Sequence, residues 1–147
     1  IVNTLVDVIS TDSTDIEIFK PNGSSYFKSL IEGHAPINIQ AIATGDLDND
    51  GSIDIAASTH SSDKILFYKF ADGMWKREVL IDNPGDPITL MKVIDIVADG
   101  YKSLLYASGR EDFAEIWILR HGPQGWEREK LAEFGMGILF WNSFEPD

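Results

Sequence analysis

The chain has 147 residues, 44% of them hydrophobic, which is enough for one domain with a core of its own. Twenty-four acidic against twelve basic residues leave a net charge of −12, a balance that repels phosphate backbones and anionic head groups, so no nucleic acid partner is expected. The absence of cysteine excludes disulfides, thiolate metal sites and a cysteine nucleophile, leaving the redox compartment open.

No apolar run approaches the roughly 18 residues that cross a bilayer, so direct membrane insertion is not expected. No signal peptide precedes Ile1, and Ile1 is not an initiator methionine; upstream sequence is therefore expected to be missing or removed.

In chain order the predicted elements are short β-rich runs: LVDVIS, IEIFK, INIQAIA, IDIAAS, KILFYKF, REVLI, ITLMKVIDI, SLLYAS, EIWILR and WEREKLA. Turn formers separate them, among them Pro21-Asn22-Gly23, Asp72-Gly73, Asp99-Gly100 and Gly122-Pro123-Gln124-Gly125. No segment sustains a 3.6-residue apolar period, so the class is all-β.

The runs repeat. ILFYKFADGMWKRE resembles EIWILRHGPQGWERE, setting Leu66 against Ile116, Trp75 against Trp126 and Arg77 against Arg128. DNDGSIDIAAS meets VADGYKSLLYAS with Gly51 against Gly100, and a fainter copy near the N-terminus pairs Val6 with Ile53 and Asp7 with Asp54. The period is about 50 residues, the size of a four-stranded propeller blade.

Residues 1–147 then form one β-propeller segment of three blade-like repeats: 1–34 completed by 137–147, 35–84, and 85–134. In the middle repeat, strands are expected at 37–44, 53–58, 65–70 and 75–81. Three blades fall below the usual minimum of four, so the segment is expected to be part of a larger ring or to be completed by oligomerisation. A β-sandwich is the alternative, although its strands need not recur at this interval.

One loop carries chemistry. Asp46-Leu47-Asp48-Asn49-Asp50-Gly51-Ser52-Ile53-Asp54 follows the pattern DxDxDGxxD. Asp46, Asp48, Asp50 and Asp54 offer carboxylates, the Ser52 carbonyl offers a backbone ligand, and Gly51 permits the sharp turn that converges them on a calcium ion, which takes six to eight oxygens. An EF-hand needs a glutamate at position 12, where Ala57 stands, and flanking helices. The plainer alternative is an Asp/Gly turn whose carboxylates face solvent.

GDLDNDGSIDIAAS followed by KILFYKF and WKREVL resembles an FG-GAP or VCBS repeat, the unit of integrin-α-like and bacterial extracellular propellers. The resemblance implies a calcium loop between the first and second strands of a blade, with Asp46, Asp48, Asp50, Ser52 and Asp54 as the metal residues and Ca2+ as a structural ion. In the second copy, DIVADGYKS, Asp95, Asp99 and Gly100 match, while Val97 and Ser103 replace two acidic ligands; that loop is expected to keep its turn and lose its ion.

No catalytic constellation emerges. His34, His60 and His121 lack HxH or HExxH spacing and are expected at loops or strand ends, and Ser58, Ser61 and Ser62 lie outside any GxSxG elbow. Trp75 and Trp126 are expected as core between neighbouring sheets rather than as sugar-stacking faces. Phe140 and Trp141 are expected in a buried first strand, and Asn22-Gly23-Ser24 as a tight turn rather than a glycosylation site.

The expected function is a calcium-stabilised, non-catalytic module that binds a protein or carbohydrate ligand, as in adhesion, in an extracellular, periplasmic or cell-surface setting. The alternatives are the scaffold propeller of a secreted polysaccharide lyase or sugar dehydratase, and a structural subunit of a homo-oligomer or larger complex.

Overall fold

The structure, a computed structural model, describes residues 7–10, 15–22, 25–32, 38–59, 64–82, 84–110 and 112–135. Within them the chain forms three antiparallel sheets, each a meander in which sequential strands are neighbours. The first sheet joins β1 (Asp7–Ser10), β2 (Ile16–Asn22) and β3 (Ser25–Glu32). The second joins β4 (Ile39–Gly45), β5 (Asp54–Thr59), β6 (Lys64–Ala71) and β7 (Met74–Asp82). The third joins β8 (Ile88–Ile94), β9 (Ser103–Arg110), β10 (Phe113–Gly122) and β11 (Gly125–Gly135).

The all-β class and the four strands of the middle repeat stand as expected, with ends shifted by one residue except the start of β4, which is shifted by two. β3 was not among the expected runs: Phe27 and Leu30 are exposed, so its apolar residues do not alternate in the way a half-buried strand requires. The proposed completion of the first repeat by 137–147, with Phe140 and Trp141, lies outside the described residues, as do His34, His60, Ser61, Ser62, Gly23 and Ser24.

The sheets stack face on face. Ile16 and Ile31 of the first sheet pack with Ile55, Ala57, Leu66 and Tyr68 of the second. The opposite face of the second sheet, with Ala56, Ile65 and Phe67, packs on Leu104, Tyr106 and Leu119 of the third. The middle sheet is therefore covered on both sides, and all six residues of β5 are buried. This explains its small-residue sequence, because a strand buried on both faces loses polar alternation. β7 and β11 close their sheets with runs of Lys, Arg and Glu, which guard an exposed edge against strange pairing.

The same stacking relation holds at both interfaces, and the register shows why. An irregularity falls between Ile16 and Glu17, between Ile65 and Leu66, and between Ile116 and Trp117. The shared register makes Leu66 the counterpart of Trp117, correcting the expected match to Ile116, because two extra residues separate β9 from β10: Ile55 and its partner Tyr68 are 13 positions apart, Leu104 and Leu119 are 15. Likewise Asp7 lies across from Phe19 as Ile55 lies across from Tyr68, so Asp7 takes the place of Ile55 rather than of Asp54.

β4 and β8 meet at the inner edge of the stack. A Cβ on Gly45 would stand 2.5 Å from Val93 Cγ1, so glycine lets the Val93 side chain lie against the β4 backbone. The expected core role of the tryptophans also stands. Trp126 of the third sheet meets Phe67 of the second edge-on at 5.2 Å and donates from Nε1 to Glu78 at 3.2 Å, while Trp75 packs against the core shared with the first sheet.

Candidate metal centre

The acidic loop connects β4 to β5 at the end of the middle sheet. Asn49 (φ 61°) and Gly51 (φ 87°) take left-handed backbone conformations, which fold the loop back on itself. Backbone N–H groups then turn inward onto carboxylates: Gly51 N donates to Asp46 Oδ2 at 3.0 Å, Asp50 N to Asp48 Oδ1 at 3.2 Å, and Ser52 N to Asp50 Oδ1 at 2.8 Å. These bonds fix the side chains in the loop rather than letting them extend into water.

The result brings Asp46, Asp48 and Asp50 together, with one carboxylate oxygen from each within 4.8 Å of the others. Asp54 sits apart from that trio, at the start of β5 and fully buried. Its Oδ2 accepts from Leu47 N at 2.8 Å and Asp48 N at 3.3 Å, tying the loop to the strand. Ser52 is exposed at the loop's outer side. Three of the five expected residues thus converge, Asp54 lies beneath them, and Ser52 lies at the rim.

Two buried oxygens, Asp46 Oδ1 and Asp54 Oδ1, have no hydrogen-bond partner among the described residues. A buried carboxylate oxygen left bare is costly unless a cation meets it. Burial accordingly pushes the Asp54 carboxyl up to about 6, against the pull of the Leu47 N–H and with a further push from the Asp48 charge. An all-oxygen set with bare, negatively charged atoms is the donor chemistry of a hard divalent cation such as calcium.

Lys69, on β6, was not singled out by sequence. Its Nζ lies 2.5 Å from Asp48 Oδ2 and 3.5 Å from Asp50 Oδ2, and the Asp48 contact, ahead of desolvation, holds the ammonium above its ordinary range. The repeat carried a signal for it: Lys20, Lys69 and Arg120 occupy one position in the three sheets, two residues beyond Ile18, Phe67 and Ile118.

The β8–β9 loop keeps the turn, with Ala98 (φ 56°) and Gly100 (φ 92°) in the places of Asn49 and Gly51. Asp95 accepts from Asp99 N and Gly100 N at 3.2 and 2.9 Å, and Asp99 accepts from Tyr101 N at 2.9 Å. Arg120 pairs with Glu129 at 3.1 Å instead of with the loop. His121 is exposed near the β10–β11 turn, its ring 4.9 Å from Trp126.

Sheets stacked in register, with acidic turns described at β4–β5 of the second and β8–β9 of the third, define an all-β repeat protein. Residues 3–57 match the model of the FG-GAP-like repeat, which is consistent with the FG-GAP/VCBS repeat family. The match runs from the first sheet through the acidic loop into β5. No curated protein and no solved structure matches the chain.

Proposed function

We propose that the chain is a segment of a calcium-stabilised β-propeller that serves as a non-catalytic binding module outside the cytoplasm, displaying its loops to a protein or carbohydrate. The observation that carries the metal part is the pair of bare buried oxygens, Asp46 Oδ1 and Asp54 Oδ1, beside the converged Asp46, Asp48 and Asp50. Asp46, Asp48, Asp50 and Asp54 would hold the ion, with the Ser52 carbonyl and water completing its shell. Bound there, calcium would offset two of the four negative charges and stiffen the loop between two strands.

A structural role within a larger ring has its own support. The outer face of the third sheet, with Leu90, Leu105, Ala107 and Ile116, lines an apolar groove of about 660 Å³. Leu105, Ile116 and Ile118 are the register counterparts of Ala56, Ile65 and Phe67, the face by which the second sheet receives the third. A further blade would extend the stack by the same relation.

Thermal melting in calcium and in chelator tests the metal reading. At a calcium concentration 100 times Kd, binding adds about 2.7 kcal/mol, which raises Tm by roughly 5 to 10 °C in a chain of this size. Asp50→Ala removes the difference. Identical melting of the unaltered protein in both buffers contradicts the reading.

A further inference from the structure

We infer that Lys69 is a built-in competitor of the divalent cation, an ammonium that occupies the carboxylates of the loop and sets how much calcium the site requires. This rests on the metal reading above and adds the residue that tunes it. The ammonium lies on Asp48 Oδ2 and reaches Asp50 Oδ2, two of the three residues whose oxygens converge. The remaining inward oxygens divide into two kinds. Asp46 Oδ2, Asp48 Oδ1, Asp50 Oδ1 and Asp54 Oδ2 accept backbone N–H groups, whereas Asp46 Oδ1 and Asp54 Oδ1 are bare. Lys69 therefore neutralises one side of the cluster and leaves the other side unmet.

A lysine and a divalent ion cannot both take full advantage of the same two carboxylates, because each cation repels the other across a few ångströms of partly desolvated space. Ion binding must displace the ammonium toward water, so the observed affinity is the difference between the two interactions. The third sheet provides the internal control. There the counterpart of Asp48 is Val97, and the counterpart of Lys69, Arg120, turns to Glu129. The basic side chain pairs with its loop where the third position is a carboxylate, Asp48, and pairs elsewhere where that position is Val97, although Asp95 and Asp99 remain in the loop.

Titration calorimetry of calcium into the protein tests the competition. Lys69→Met keeps the length and apolar stem of the side chain and removes the charge; it is expected to bind calcium about tenfold more tightly than the unaltered protein. Lys69→Arg, which keeps the charge, is expected to bind within about twofold of it. In chelator, Lys69→Met is expected to melt below the unaltered protein, and to gain more on calcium addition. Circular dichroism in calcium verifies folding, and Lys69→Gln replaces Lys69→Met under the same outcomes if the latter is unfolded.

Equal affinities in the unaltered protein and Lys69→Met overturn the competition and leave the metal reading standing. Weaker binding in Lys69→Met also overturns it, since Lys69 would then support the loop. Tighter binding in Lys69→Arg, matching Lys69→Met, shows that charge is not the cause and overturns it equally. Absence of binding in every form overturns the metal reading, and the competition with it.

Discussion

The β4–β5 and β8–β9 loops share a backbone and differ in charge. Both place a left-handed residue two positions ahead of a left-handed glycine, and both begin with an aspartate that accepts the glycine N–H. They diverge at the third and ninth positions, where Asp48 and Asp54 of one loop correspond to Val97 and Ser103 of the other. The turn therefore depends on the glycine and the first aspartate, and the concentration of charge depends on two further residues that the turn itself does not require. A fold can keep the first property while losing the second.

The largest expected break of this symmetry is at the ninth position. Asp54→Ala removes the acceptor of two loop N–H groups from a fully buried site and is expected to cost about 2 to 3 kcal/mol in urea denaturation with calcium present. Ser103→Ala, at the matching place in the third sheet, is expected to cost less than about 1 kcal/mol. Equal costs would mean that the two ninth positions do the same work.

A second contrast follows the chain from each loop into its strand. Ala57 of the middle sheet corresponds to Tyr106 of the third, a fully buried phenol whose hydroxyl has no hydrogen-bond partner among the described residues. Burial pushes the Tyr106 phenol up to about 12, with the nearby Arg128 charge opposing the shift. Between pH 10 and 12 the folded chain then holds a proton that the unfolded chain has released. Stability is full below pH 10 and falls as pH rises through 12, by roughly 3 kcal/mol. Absorbance of the phenolate checks this: Tyr106→Phe should remove the latest-titrating tyrosine, and titration of every tyrosine near pH 10 would contradict the burial.

Much of this was legible in the sequence, and the parts that were not have identifiable physical causes. The period of about 50 residues, the Trp75 and Trp126 equivalence and the DxDxDGxxD spacing locate the middle sheet and its loop, because turn chemistry and strand alternation are local. β3 escaped notice because Phe27 and Leu30 break alternation at an exposed sheet. The one-residue mismatch of Leu66 with Ile116 arose because the connection from β9 to β10 is longer than that from β5 to β6, and a longer turn leaves the strand composition unaltered. Lys69 escaped notice because its partners lie twenty-one and nineteen positions away, joined only when β6 returns beside the loop. The spacing also treats all four aspartates alike, whereas the start of a fully buried strand places Asp54 beneath the other three.

The most direct test of the difference between the loops is the calcium stoichiometry of the unaltered protein, Asp50→Ala and Asp99→Ala by titration calorimetry. The account predicts one ion per chain, lost in Asp50→Ala and kept in Asp99→Ala. Retention of the ion in Asp50→Ala together with its loss in Asp99→Ala would contradict it.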